Sequence, residues 1–215
     1  MDNLNKIIEQ SKNPKDFSKG YFQYITKVLS CIDEGDVASF IDQMILARDR
    51  GSTIYFIGNG GSAATATHFA NDIGIGPRSW EKPFKALSLT DNQAVITAIG
   101  NDYGYEYIFE KQLELYLKPK DMVVAISASG NSPNLLRAIN YANQNGAITF
   151  GLTAFDGGEM KRICQHGIHV PCAKGEYGPA EDAHMILDHL VATYLKAYCM
   201  KEVSICSPDL VEELV

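Results

Sequence analysis

Short apolar runs rich in β-branched residues recur along the chain at residues 53–57, 86–89, Met122–Ser127 and 148–152. Each is too short and too uniformly apolar for an amphipathic helix, and fits a strand buried on both faces. Segments with helical spacing, at residues 63–73, 92–99, Pro133–Gln144 and 180–199, separate or follow these runs. The alternation predicts an α/β fold of layers around a central parallel sheet. A weaker fifth strand is expected at 167–170, and Gly146 is placed to stop the helix before the fourth. Ahead of the first strand, apolar residues at helical spacing from Tyr21 to Ala47 predict a helical hairpin, interrupted near residues 33–35. No linker or repeat divides the chain. The reading is one domain, with N-terminal helices over 1–50, an α/β core over 51–201 and a half-apolar tail over 202–215.

Composition narrows the function classes. A net charge of −7 and the lack of any basic block argue against nucleic acid as a partner. No signal peptide is evident at residues 1–12, and no apolar run reaches the roughly 18 residues of a membrane span. The five cysteines include no CxxC pair. This pattern predicts reduced thiols and a cytoplasmic location, with no membrane partner.

Two turns carry the strongest chemical signal. Residues 58–62, Gly-Asn-Gly-Gly-Ser, follow the first strand and open an alanine-rich helix. Glycines let backbone N–H groups approach an anion, and Ser62 is placed to cap a helix whose dipole favours phosphate. Residues 127–132, Ser-Ala-Ser-Gly-Asn-Ser, repeat the arrangement after the third strand, with Pro133 at the first helical turn. Ser127 and Ser129 are expected to face the crevice and Ser132 to cap. A serine cradle without a magnesium-binding motif suggests a monophosphate rather than ATP.

Among the five histidines, His68 shares a helix face with Asp72 at i, i+4. On the last helix Glu181 shares a face with His184, while His189 lies two turns further on, offset by roughly 80°. His68, Asp72, Glu181 and His189 together suit a divalent ion such as zinc, or proton transfer at a sugar carbon. A surface His–Asp pair and a separate solvated helix remain the alternative. His166 and His169 read as structural.

These residues resemble the sugar isomerase (SIS) domain family, in its phosphoheptose isomerase branch. The resemblance rests on residues 58–62, His68-Phe-Ala, Gly100-Asn-Asp102 with Gly104, residues 127–132, the Gly157–Gly158 pair and the Glu181, His184, His189 helix, and covers about residues 20–200. It implies a flavodoxin-like SIS domain, a homotetramer with active sites between subunits, and isomerisation of sedoheptulose 7-phosphate to D-glycero-D-manno-heptose 7-phosphate, often with zinc. By the same resemblance Asp72 takes the place of the catalytic glutamate and His189 that of the catalytic histidine. Glu181 stands where a glutamine ligand is expected, and His68 is the first histidine. Asn59, Gly60, Ser62, Asp102, Ser127, Ser129, Ser132 and Glu181 would bind substrate, and His68, Asp72, Glu181 and His189 the metal. The chain departs from the pattern at Asp72, one methylene short, at Glu181, at Gly178, where an aspartate is expected, and at Gly76, where an arginine is expected and Arg78 lies close by. The expected mechanism is enediolate proton transfer, with Asp72 or Glu181 as base. The alternatives are an isomerase of another sugar phosphate and a non-catalytic SIS module binding a sugar phosphate or a protein.

Overall fold

The computed structural model describes residues 3–206. The helices are α1 (Asn3–Gln10), α2 (Pro14–Leu29), α3 (Glu34–Arg50), α4 (Gly61–Gly74), α5 (Gln93–Asp102), α6 (Glu110–Tyr116), α7 (Pro133–Gln144), α8 (Gly158–Ile163) and α9 (Tyr177–Cys206), and the strands are β1 (Thr53–Gly58), β2 (Lys85–Ser88), β3 (Met122–Ser127), β4 (Ile148–Ala154) and β5 (His166–Val170). All neighbouring strands pair in parallel, in the order β2-β1-β3-β4-β5. This is the flavodoxin-like order that the SIS resemblance implies. The tail reading over 202–215 lies largely outside the described residues.

The pleat divides the core. Ile54 and Phe56 of β1, with Val124 and Ile126 of β3, face α3, α4 and α9. Tyr55 and Ile57, with Val123 and Ala125, face α6 and α7. On the first face Phe56 stacks on Phe69 at 5.2 Å between ring centroids, and Phe40 meets Phe150 at 4.4 Å. Burial on both faces explains why the strands read as apolar runs without alternation.

Caps set the helix limits. Asn13 and Asp33 accept hydrogen bonds from the Asp16 and Asp36 N–H groups at the starts of α2 and α3. The hairpin therefore breaks before Asp33, and Gly35 falls inside the first turn of α3 rather than in the interruption. Gly51 closes α3 at φ 69°, a left-handed conformation open to glycine. The last helix begins at Tyr177, earlier than its apolar spacing indicates, because Pro179 is tolerated in a first turn. Buried Glu176, just ahead of it, accepts from the N–H groups of Asn3 (2.6 Å) and Leu4 (3.2 Å), from Ala173 N–H and from the Tyr24 hydroxyl. It thus fastens α1 and α2 to the start of α9.

Candidate active site at the carboxyl ends of the strands

The strand order reverses between β1 and β3, and the carboxyl ends of those two strands flank the crevice where open α/β sheets bind ligands. Both glycine- and serine-bearing turns lie there. In the first, a Cβ on Gly58 would stand 2.4 Å from the Ser62 carbonyl oxygen, so only glycine permits the tight passage from strand to helix. Gly60, at φ 54° and ψ −123°, is the N-cap of α4 and supplies no side-chain bond. Ser62 is buried one residue inside α4 and does not take the capping position expected of it.

In the second turn the Ser127 hydroxyl accepts from Gly130 N–H at 3.1 Å and lies 3.4 Å from the Ser129 hydroxyl. Gly130, at φ 63°, approaches the turn after β4 so closely that a Cβ would lie 2.0 Å from the Gly157 carbonyl oxygen. Ser132 occupies the N-cap of α7 but its hydroxyl makes no capping bond. The two turns are tied together: the Asn59 amide donates to Asn134 Oδ1 at 3.0 Å, and the Asn134 amide donates back to Asn59 Oδ1 at 2.8 Å. The Tyr105 hydroxyl, from a 3-10 turn after α5, also donates to Asn59 Oδ1 at 2.9 Å. Asp102 is exposed at the end of α5 and accepts from Asn101.

A titratable cluster lies between α4 and α9. His68 Nε2 stands 3.2 Å from His189 Nε2, 3.3 Å from Asp72 Oδ2 and 3.7 Å from Asp188 Oδ2. The ligating atoms of these four residues lie within 4.8 Å of one another. Asp188 is fully buried and neither carboxylate oxygen has a hydrogen-bond partner. Burial, and after it the Asp72 carboxylate, pushes its pKa up to about 7. One turn earlier His184 is equally buried, and burial lowers its pKa to about 4 against the opposing effect of the Thr153 backbone. Two imidazoles and two carboxylates, one of them buried without a hydrogen bond, form a donor set that fits a divalent cation.

The structure brings His68, Asp72 and His189 together and adds Asp188. Glu181 does not join this cluster. It stands at the amino end of α4, where a Cβ on Gly61 would lie 2.4 Å from Glu181 Oε2. The helices run side by side in the same direction, Glu181 level with Gly61 and His189 level with His68. Asp188 carried a signal in the sequence: seven residues after Glu181 it returns to nearly the same helix face, closer in angle than His189. Gly178 lies in the first turn of α9, and Arg78 is exposed at φ 51°. His169 is held by Thr153, Nδ1 to Oγ1, at 3.1 Å.

Parallel strands ordered around a switch point, with a glycine turn and a serine turn on it, define an α/β class with a known family. The sequence pattern of the SIS domain matches residues 20–154, and the chain belongs to the SIS domain family. Within it, the chain is 31% identical over 207 residues to the phosphoheptose isomerase of Maridesulfovibrio salexigens, covering 96% of each. It is 38% identical over 168 residues to that of Nitratidesulfovibrio vulgaris, covering 78% of this chain and 80% of the relative. The structure of phosphoheptose isomerase from Neisseria gonorrhoeae superposes with a TM-score of 0.76 at 25% identity, over 86% of this chain and all of that one. Among the described residues no helix is long and apolar enough to cross a membrane.

Proposed function

We propose that this chain is an aldose–ketose isomerase of a sugar phosphate, with sedoheptulose 7-phosphate as substrate. The observation that carries the proposal is the His68, Asp72, Asp188, His189 cluster between α4 and α9, with α4 the helix that grows out of the first glycine turn. In this reading α4 links the Asn59–Ser62 side of the phosphate cradle to His68 and the proton acceptor Asp72, roughly two to three turns on. Similarity to phosphoheptose isomerases over nearly the whole chain supports the reading.

In this mechanism the phosphate lies among the hydroxyls of Ser127, Ser129 and Ser132 at the amino end of α7, with Asn59, Gly60 and Ser62 closing the other side. Glu181, between the turn and the cluster, accepts hydrogen bonds from sugar hydroxyls, and Asp102 orients others. Asp72 takes a proton from C1 of the ketose, and the C–H electron pair becomes the C1–C2 double bond as the C2 carbonyl oxygen gains a proton. His189 serves the proton transfers between the oxygens, and return of a proton to C2 with loss of the O1 proton gives the aldose. His68, Asp72, Asp188 and His189 are the residues that would hold a divalent ion, with zinc proposed. Such an ion would polarise the carbonyl and stabilise the developing oxyanion.

The test is a coupled assay on sedoheptulose 7-phosphate with Asp72→Ala as control. The expected result is turnover by the native chain and a fall of about 10²- to 10⁴-fold in the variant. Robust turnover in the variant would exclude Asp72 as base. The glutamate at 181 and the glycine at 178 also favour trying other sugar phosphates, and a panel of hexose, pentose and heptose phosphates separates these substrates.

A further inference from the structure

A cavity of about 350 Å³ opens beside the edge strand β5 and shares no residue with the two turns or the four-residue cluster. Its floor follows from two glycines. Gly151 and Gly167 are partners in the β4–β5 register, and a Cβ on Gly167 would lie 2.6 Å from the Gly151 carbonyl oxygen. Close strand approach therefore leaves bare backbone where neighbouring positions carry side chains.

The wall carries one cation, Lys161, on a chain of net charge −7. Lys161 of α8 and His166 and His169 of β5 converge on this cavity, with the Ser39 hydroxyl opposite. Among the described residues no ion pair engages Lys161 and no hydrogen bond engages the His166 ring, which stacks on Phe150 at 16° and 6.1 Å. Burial, and after it the nearby Lys161 ammonium, depresses the proton affinity of His169. Cys164 contributes no charge, because burial pushes its thiol pKa up to about 12. The one carboxylate on the wall, Asp36, belongs to the first turn of α3, where the helix dipole favours it. A concave site with an ammonium free of ion pairs, ring nitrogens and a hydroxyl beside it offers an anion several donors, and this volume is ample for a small metabolite.

We propose that this cavity is a second ligand site, for a small phosphate-bearing metabolite whose anionic group is held by Lys161 and His166 above the Gly151–Gly167 floor. It does not depend on the isomerase reading.

The experiment follows the histidine ring C–H signals by NMR during titration with inorganic phosphate at constant ionic strength and pH 7. Three proteins are compared: the native chain, Lys161→Met, and Ser129→Ala/Ser132→Ala, which weakens the proposed cradle. Methionine keeps the stem that lies against Gly157 and removes only the charge. The expected result is a saturable shift of the His166 signals that persists in the double serine variant and is weakened about tenfold or more in Lys161→Met. The melting midpoint of Lys161→Met serves as the folding control. An unmoved His166, a linear drift equal to that with chloride, an equal response in Lys161→Met, or loss of the response in the serine variant alone would each overturn the proposal.

Discussion

Asp188 gives the sharpest quantitative test. In the folded chain its carboxyl titrates near pH 7 rather than 3.8, because it is buried and faces Asp72. The unfolded chain ionises Asp188 from about pH 4 upward, whereas the metal-free folded chain resists until about pH 7. Below pH 4 both states are protonated and the group contributes nothing. Between pH 4 and 7 the unfolded state binds fewer protons, so stability falls by up to about 1.4 kcal/mol per pH unit; above 7 the loss is complete. Three units amount to about 4 kcal/mol, and water reaching the cluster past exposed His189 reduces this to roughly 2 kcal/mol. Asp188→Asn removes the charge and keeps the shape. In urea unfolding with a chelator present, the variant should gain about 1.3 kcal/mol relative to the native chain on going from pH 5 to pH 8, two of the three units over which the loss develops. A divalent ion should stabilise the native chain at pH 8 and stabilise the variant less. Parallel stability profiles for the two proteins across this range would refute the argument.

Other outcomes follow from particular contacts. Gly61→Ala places a methyl within 2.4 Å of Glu181 Oε2 and must push that carboxylate aside. If Glu181 reads sugar hydroxyls, KM for the sugar phosphate should rise about tenfold, while a purely structural Glu181 would leave KM unchanged. Glu176→Ala leaves the α1 N–H groups and the Tyr24 hydroxyl without their acceptor and should lower stability by about 2–4 kcal/mol in urea. Ile186, Leu190 and Tyr194 repeat at one-turn spacing along the outer face of α9 and are 40%, 45% and 51% exposed. If that stripe is an interface of the proposed homotetramer, Leu190→Glu should shift sedimentation toward smaller species, and an unchanged profile would remove α9 from the interface.

Legibility in the sequence followed physical cause. Met122–Ser127 and Pro133–Gln144 were readable to the residue, since an apolar run buried on both faces and a proline at the first turn are local signals. Helix α6 was not readable, because only Gln112 and Leu113 are buried in it and so short a buried face sets no period. At the site, His68 and Asp72 announced each other at i, i+4 on one helix. Glu181 and His189 shared a helix as well, but which of its faces meets α4 depends on packing between elements distant in sequence. Packing placed Glu181 over Gly61 and buried Asp188 beside His68.

Local chemistry, written in apolar runs, glycines, serines and caps, was enough to establish the α/β layers, the glycine- and serine-bearing turns and the titratable helices. Strand order, the reversal between β1 and β3, the mutual amide bonds of Asn59 and Asn134 and the membership of the four-residue cluster belong to the folded chain alone. Each joins residues tens of positions apart, and their proximity follows from how the sheet and helices share one core, which no short-range spacing encodes.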